Sequence, residues 1–318
     1  MKKRILFGAI LIAAAAVLFW LDWRLEQCVR GKAGEGLAAP LIEIPEAGPL
    51  PRWPLPGLPL AVIVLVLTVL ALGEVTRLAQ SVGVQILGVS GLVGSVLLST
   101  IPFWWQLGRA PGPIGQNLLP VLGFVILVTF AEQMIRSRTE DALRRIACTF
   151  LAVLYLGVGG AIVLSIRIEY GVPTLVLFLA AVKFTDIGAY FTGSALGRHK
   201  MITWLSPGKT WEGLVGGLVL GTGVSMAVVW LMRTAGARGA FGPDEPVSRL
   251  AIWQAGVFGV VVGLAGQFAD LCESLLKRSA GAKDSGSAVP GFGGVLDILD
   301  SVLLGGPVAL MLLRMMIV

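Results

Sequence analysis

Long apolar runs recur along this chain, and they limit what it can fold into more than any other feature. Residues 118–135, for example, carry a single charged side chain, Glu132. A run of about 20 apolar residues is long enough to cross a bilayer as a helix. Only 14% of the residues are charged, whereas the figure is about 25% in soluble domains. A soluble globule and a disordered chain are excluded, and the unbroken runs do not fit a β-barrel, whose strands alternate.

The sequence therefore predicts an all-α, polytopic integral membrane protein with about nine transmembrane helices. The predicted spans are 5–21, 58–73, 81–102, 118–135, 146–166, 172–194, 211–232, 251–272 and 295–313. Residues 31–59 are rich in Pro and Gly, which predicts an extended loop outside the membrane. No internal repeat is visible.

The distribution of Lys and Arg predicts how these helices are oriented. The formal net charge is +6, and in membrane proteins an excess of Lys and Arg marks the cytoplasmic loops. With the N-terminus inside, 14 of these residues fall on the cytoplasmic side and 10 on the opposite side. No basic run interleaved with aromatic residues supports nucleic-acid binding, so no nucleic-acid partner is expected.

Acidic residues gather at the cytoplasmic ends of the last predicted spans. They are Asp186, Glu212, Asp270, Glu273, Asp284, Asp297 and Asp300. An Asp at the centre of a span costs about 2.5–3.5 kcal/mol on insertion scales, so such residues usually face a wet interior site. The alternative is that they form interfacial ion pairs with nearby lysines and arginines.

Helical spacing favours a site over simple ion pairing. Asp270, Glu273 and Lys277 share one face of a predicted helix, and Asp297 and Asp300 lie one turn apart on the next. Carboxylates that converge from two helices suit Mg²⁺, which also takes phosphate oxygens as ligands. The glycine turn before Asp297 predicts a helix start whose free N–H groups favour phosphate. Together these features indicate phosphoryl or nucleotidyl transfer at the membrane surface.

Two short sequences resemble nucleotide-binding motifs but do not complete them. The Gly-Lys-Thr at 208–210 lacks the glycine five residues earlier that a P-loop needs, because that position is Thr203. Gly291-Phe-Gly293 begins like a dinucleotide-binding fingerprint but ends on Leu296. His199, the only histidine, is expected to be a solvated loop residue.

An ordered series of motifs then resembles one family. The motifs are Asp186-Ile-Gly-Ala-Tyr-Phe-Thr-Gly193, Ser206-Pro-Gly-Lys-Thr-Trp-Glu-Gly213, Gly266-Gln-Phe-Ala-Asp270, Ser274-Leu-Leu-Lys-Arg278, Lys283-Asp-Ser-Gly286 and Pro290-Gly-Phe-Gly-Gly-Val-Leu-Asp-Ile-Leu-Asp-Ser301. Over residues 186–305 the chain resembles the phosphatidate cytidylyltransferases (CDP-diacylglycerol synthases). The resemblance implies N-terminal transmembrane helices over 1–170 and a catalytic transmembrane region over 171–318.

The resemblance also implies an activity and its partners. The family makes CDP-diacylglycerol and pyrophosphate from CTP and phosphatidate with Mg²⁺, and a second, monovalent cation such as K⁺ is compatible with it. It further implies a homodimer in the cytoplasmic (inner) membrane of a bacterial-type cell, with the site facing the cytoplasm. Two other functions stay open: a CTP-dependent kinase of polyprenol- or phytol-type lipids, and an ion or anion transporter.

Site residues follow from the matched motifs. Asp270 and Asp297 are expected to bind the metal, with Asp300 supporting them or holding a second ion. Lys277 and Arg278 would hold phosphates, with Ser274 hydrogen-bonding nearby. The remaining candidates, for nucleotide or phosphate contacts or for ordering the loops, are Asp186, Ser206, Lys209, Thr210, Glu212, Lys283 and Asp284.

The sequence departs from the family pattern at three positions. Phe292 replaces the usual His, Ile298 replaces the usual Arg, and Ala269 precedes Asp270 where Gly is usual. All the acidic residues expected to bind metal are retained.

Overall fold

The computed structural model describes residues 17, 19–24, 57–108, 115–237, 245–289 and 293–317. Its long helices are α1 (Leu58–Ser81), α2 (Gly88–Gly108), α3 (Gly115–Arg136), α4 (Ala142–Ala152), α5 (Gly159–Leu196), α6 (Trp211–Ala237), α8 (Ile252–Ser279) and α9 (Leu296–Met316), with a short α7 (Pro246–Arg249). A π-helix, Val153–Val158, joins α4 to α5 without a break. Most of the predicted first span and of the loop 31–59 lies outside the described residues.

Seven of the described helical stretches are long and apolar enough to cross a membrane. One of them, Ala142–Leu196, has 55 residues, about twice the length that one crossing needs. On the outside of other helices, large apolar side chains such as Leu127 and Val219 are about 70% exposed, as expected for groups that contact lipid. The all-α, polytopic membrane fold is therefore confirmed.

The 55-residue stretch reverses direction at Gly171. Glu169 pairs with Arg314 near the end of α9, whereas Lys183 binds the carbonyl of Ile298 near the start of α9. Earlier on α5, a Cβ on Gly159 would lie 2.9 Å from Leu303 in the middle of α9. The contacts of α5 thus advance along α9 from Leu303 to Arg314 and then return to Ile298, so the two halves of α5 run antiparallel. Gly171 has φ 83° and ψ 171°, a conformation that essentially only glycine adopts. The structure thus has two spans here, as the sequence predicted.

A small β-hairpin between α5 and α6 was not predicted. Its strands are β1 (Lys200–Ile202) and β2 (Ser206–Thr210), paired antiparallel with Lys200 opposite Thr210. The ends of α1 and α8 lie on the same side, where Ser81 Oγ donates to the carbonyl of Ala280 at 3.1 Å. We call this side of the molecule the hairpin end.

The largest buried cluster joins helices from both halves of the chain. It includes Val64 of α1, Phe178 of α5, Val229 of α6, Phe258 of α8 and Ala309 of α9. Helices α5 and α6 approach most closely where both carry small residues. A Cβ on Gly217 of α6 would lie 2.6 Å from the carbonyl oxygen of Thr185 on α5.

A buried ion pair fixes the helical residues 19–24 to α5. The Asp22 carboxylate pairs with Arg167, and both side chains are at least 98% buried. Asp22 Oδ1 also accepts a hydrogen bond of 2.9 Å from the N–H of Gly57. The pair lies away from the hairpin end, beside the reversal of α5.

Candidate functional site

The acidic residues that the sequence singled out converge at the hairpin end. Carboxylate oxygens of Asp270, Glu273 and Asp300 all lie within 4.8 Å of one another. We call these three residues the carboxylate cluster. Asp270 and Glu273 lie one turn apart on α8, and Asp300 comes from the first turns of α9. This packing of α8 against α9 produces the convergence from two helices that the spacing predicted.

Two lysines neutralise part of this charge. Lys277 Nζ lies between Glu273, with which it forms an ion pair, and Asp297, whose Oδ1 is 2.6 Å away. Lys209, from the β-hairpin, reaches Asp270 Oδ2 at 2.6 Å and also donates to Gln267. The hairpin therefore contributes a positively charged side chain to a site that is otherwise built on helices.

A second layer of contacts extends the network to α5. Gln267 Nε2 donates to Asp186 Oδ1 at 2.8 Å, and Lys183 Nζ lies 3.6 Å from Asp186 Oδ2. Lys183 also donates to the carbonyl of Ile298, the residue that replaces the family's usual arginine. This contact is to the backbone of residue 298 and does not depend on its side chain.

The network carries more negative than positive charge. Five carboxylates (Asp186, Asp270, Glu273, Asp297 and Asp300) face three lysines (Lys183, Lys209 and Lys277). With every group ionised, the surplus is two negative charges. An uncompensated charge away from water is strongly unfavourable. Glu273 Oε1 is buried and has no hydrogen-bond partner among the described residues. The donor set and the surplus charge therefore fit one divalent cation with oxygen ligands.

Asp297 lies outside the carboxylate cluster. Besides Lys277, it binds the N–H of Gly294 at 2.6 Å and both the N–H and the hydroxyl of Ser285 at 3.0 Å. Of the two residues that the resemblance assigned to metal, Asp270 is thus in the cluster, while Asp297 fixes the loop before α9. The metal roles of both stay predictions.

Glu74 is a site residue that the sequence analysis missed. It comes from α1, is 99% buried, and accepts hydrogen bonds of 2.9 Å from the N–H groups of Val295 and Leu296 and from the hydroxyl of Ser285. An acidic residue that ends an apolar run was the available signal. The predicted span ended at residue 73, so Glu74 was not counted among the acidic residues of the spans.

These contacts overturn the prediction of a phosphate site at the start of α9. The N–H groups of Gly294, Val295 and Leu296 are bound by the carboxylates of Asp297 and Glu74. A helix start favours any anion, and here carboxylates of the chain itself occupy it. The glycine turn itself lies partly outside the described residues, which also exclude Phe292.

The remaining candidates occupy varied positions around the network. Thr210 is buried, and its hydroxyl caps α6 by accepting the N–H of Gly213 at 3.1 Å. Glu212 binds the ring of His199 at 2.5 Å, so this exposed histidine is paired rather than simply solvated. Arg278 lies at the edge, where its side chain donates to the carbonyls of Leu205 and Ala282. Ser206 and Ser274 are half-buried, and Lys283 and Asp284 are exposed.

Comparison with known proteins identifies the family of the chain. Residues 53–316 match the model of the cytidylyltransferase family, so the match includes Glu74, the β-hairpin and the whole carboxylate cluster. The chain belongs to the cytidylyltransferase family. It is an integral membrane protein of that family, with the carboxylate cluster and its lysines at one end of its helices.

Family members with curated names include proteins from staphylococci and Brucella. The chain is 28% identical to the phosphatidate cytidylyltransferase of Staphylococcus haemolyticus over 248 residues, which cover 78% of this chain and 88% of that protein. It is 29% identical to the phosphatidate cytidylyltransferase of Staphylococcus aureus (strain COL) over 233 residues, 73% of this chain and 82% of that protein. A shorter match of 133 residues, 38% identical, links it to the phosphatidate cytidylyltransferase of Brucella suis and covers 42% of this chain and 44% of that protein.

Proposed function

We propose that this chain is a phosphatidate cytidylyltransferase, which converts CTP and phosphatidate to CDP-diacylglycerol and pyrophosphate. The names of its relatives support the substrates. The observation that carries the proposal is the carboxylate cluster at the hairpin end, within a network in which five carboxylates face three lysines. Such a site suits a divalent cation together with a polyphosphate.

The reaction needs alignment and charge neutralisation more than a strong base. A phosphate oxygen of phosphatidate attacks the α-phosphorus of CTP, and a new P–O bond forms. The bond from the α-phosphorus to the bridging oxygen of the β-phosphate breaks, and its electron pair leaves with pyrophosphate. The phosphate monoester is already anionic near neutral pH, so no histidine is required to remove a proton. Positioned cations supply most of the catalysis in such transfers.

The carboxylate cluster would hold the divalent cation, which we propose to be Mg²⁺. When bound, this ion neutralises charge on the transferred phosphate groups. Asp297, which shares Lys277 with Glu273, would support this ion, and a second, monovalent cation such as K⁺ would enter only with the negative charge of the substrate. Lys277 and Lys209 would turn from the carboxylates towards phosphate oxygens, and Arg278 would hold the pyrophosphate from the edge of the site.

The nucleotide would enter from the hairpin end, which we propose faces the cytoplasm. The exposed residues there include Lys200, Lys283 and Arg278, whose charge favours an anionic substrate. Ser206 and Ser274 are placed to hydrogen-bond it, while Asp284 and Glu212 order the surrounding loops. Thr210 acts through the cap of α6 instead of through the substrate.

The predicted homodimer would be tested by mass measurement in detergent.

A product assay tests this function. Purified protein with CTP, phosphatidate and Mg²⁺ is expected to release one pyrophosphate for each CDP-diacylglycerol formed, and a chelator should stop the reaction. Asp300→Asn is expected to lower kcat/KM at least about 100-fold, because one ligand of the cation loses its charge. The matched control is Glu140→Gln, which removes a carboxylate that is 77% exposed and should leave the rate unchanged.

The same assay separates the alternatives. A lipid kinase would release CDP from CTP with a polyprenol or phytol-type acceptor, and a transporter would move an ion into proteoliposomes without nucleotide. Wild-type protein that forms no pyrophosphate, or an Asp300→Asn variant as active as wild type, would contradict the proposal.

A further inference from the structure

Tyr155 is a buried polar residue that neither the motifs nor the proposed mechanism use. It lies in the π-helix Val153–Val158 and is 6% exposed. Its hydroxyl is buried and has no hydrogen-bond partner among the described residues. Buried hydroxyls nearly always have a partner, so an unpartnered one in a native fold calls for an explanation.

The surroundings of Tyr155 place it beside the carboxylate cluster. Its ring packs in one buried cluster with Leu276 of α8 and with Leu296 and Leu299 of α9, which flank Glu273 and Asp300 in the sequence. The carboxylates of Asp300, Glu273 and Asp270 and the thiol of Cys272 are near enough to its hydroxyl to interact with it electrostatically. Tyr155 therefore adds a hydroxyl donor from the N-terminal half of the chain to the buried side of the carboxylate cluster.

The π-helix holds Tyr155 firmly in this position. A Cβ on Gly157 would lie 2.8 Å from Leu98 of α2, and a Cβ on Gly159 would lie 2.9 Å from Leu303 of α9. The segment is thus packed tightly between two helices on different sides. Single π-turns inside α-helices are rare and occur frequently at functional sites, because the extra residue redirects a side chain.

Tyr155 and Glu273 are complementary. The tyrosine has an unused donor, and Glu273 Oε1 is a buried acceptor without a partner among the described residues. A water molecule between two such groups satisfies both. Carboxylates that bind metal are usually held by hydrogen bonds of this kind, and losing one typically weakens metal binding about 10–100-fold.

We propose that Tyr155 is a positioning residue of the carboxylate cluster, whose hydroxyl holds Glu273 through one bridging water in the orientation that receives the divalent cation. This inference rests on the proposed function, because it takes the cluster to be the cation site. It adds a residue from outside the C-terminal motifs to that site.

The test measures Mn²⁺ binding by electron paramagnetic resonance on the detergent-solubilised full chain without nucleotide. Tyr155→Phe keeps the ring and removes only the hydroxyl. It is expected to raise the Kd for Mn²⁺ about tenfold, and to raise the Mg²⁺ concentration for half-maximal rate more than it lowers kcat. The thermal midpoint without metal should change little, because the net contribution of one water-mediated hydrogen bond to stability is small.

Tyr170→Phe is the matched control. Tyr170 is also buried, at 8% exposure, but its hydroxyl lies beside Arg314 at the opposite end of the molecule. Its Kd for Mn²⁺ should equal that of wild type. Equal Kd values for Tyr155→Phe and wild type would overturn the inference. If Asp300→Asn nevertheless loses Mn²⁺ binding, the proposed cation site stands without Tyr155, whereas unchanged binding in Asp300→Asn contradicts both.

A spectroscopic measurement keeps the test independent of how well Tyr155→Phe folds. The chain has three tyrosines, so the double variant Tyr170→Phe/Tyr190→Phe retains only Tyr155. With 3-fluorotyrosine incorporated, its ¹⁹F resonance is expected to shift when Mg²⁺ is added, and Asp300→Asn should abolish the shift. A resonance that does not respond to Mg²⁺ while Mn²⁺ binds normally would overturn the inference.

Discussion

Glu74 shows how a single buried side chain from one half of the chain fixes the loop and the helix start that carry acidic residues of the other half. Its two carboxylate oxygens accept three hydrogen bonds, two from the backbone at the start of α9 and one from Ser285. The same helix start carries Asp297 and Asp300. The orientation of these acids therefore depends on a residue more than 200 positions earlier in the sequence.

Glu74→Gln is expected to destabilise the protein although it changes no volume. The amide has one acceptor oxygen instead of two, so at least one buried donor loses its partner, which costs about 1–3 kcal/mol. The free energy of unfolding in detergent should fall by about that amount. Pyrophosphate release should also slow, because the start of α9, which carries Asp297 and Asp300, would be held by fewer hydrogen bonds. Glu140→Gln is the control, since exposed substitutions usually stay within about 0.5 kcal/mol. Equal stability of the two variants would contradict the role of Glu74.

A substitution of Lys277 is expected to change cation binding and catalysis in opposite directions. Its ammonium group neutralises both Glu273 and Asp297 and is only 12% exposed. In Lys277→Met the network gains one uncompensated negative charge, so the affinity for Mn²⁺ should rise. We expect about a tenfold effect, a fraction of the roughly 4 kcal/mol between unit charges 4 Å apart at an effective dielectric constant of 20.

Catalysis by Lys277→Met should nevertheless fall at least about 100-fold, because the variant lacks the ammonium group that would neutralise the phosphates. Mn²⁺ binding and pyrophosphate release are measured on the same preparation. A variant in which both quantities fall together would show that Lys277 only supports the fold.

At the scale of helices, α5 and α6 pack closely where Gly217 faces α5. An added Cβ would lie 2.6 Å from the carbonyl oxygen of Thr185 and 3.0 Å from the Cβ of Ala189. Gly217→Ala should therefore force the helices apart and cost about 1–3 kcal/mol. Because Asp186 lies on α5 and the hairpin with Lys209 leads into α6, activity should fall as well.

Gly223→Ala is the matched control on the same helix. An added Cβ there meets nothing within 4 Å, and alanine is the better helix former by about 1 kcal/mol. This variant should be as active as wild type and at least as stable. Thermal unfolding and product formation check both variants, and a Gly217→Ala variant that matches Gly223→Ala would contradict the packing argument.

The sequence predicted the helices well because lipid imposes a length and a composition on every span. The pair of spans on either side of Gly171 and the shared face of Asp270 and Glu273 follow from such local rules. The β-hairpin was missed because its strands are three and five residues long and carry no alternating pattern. Motif and spacing likewise identified Asp270 and Asp300 but could not reveal Glu74 or Tyr155, which reach the site through tertiary packing alone.

At the scale of the whole molecule, the hairpin end and the start of α8 lie on opposite sides of the membrane. In a chain whose three cysteines are replaced, Lys200→Cys and Arg249→Cys place single thiols on exposed positions at the two ends. An impermeant maleimide added to intact cells should label Arg249→Cys only, since basic residues concentrate at the hairpin end. Labelling of Lys200→Cys before the membrane is permeabilised would reverse the proposed orientation.

The carboxylate cluster lies where α8 ends and α9 begins, not at mid-depth between the two surfaces. For the proposed reaction, a lipid can therefore reach the site by lateral diffusion with its head group in place and its tails undisturbed. The activated lipid then remains in the leaflet where it was made. Supplying the other leaflet would require a separate flipping step by another protein.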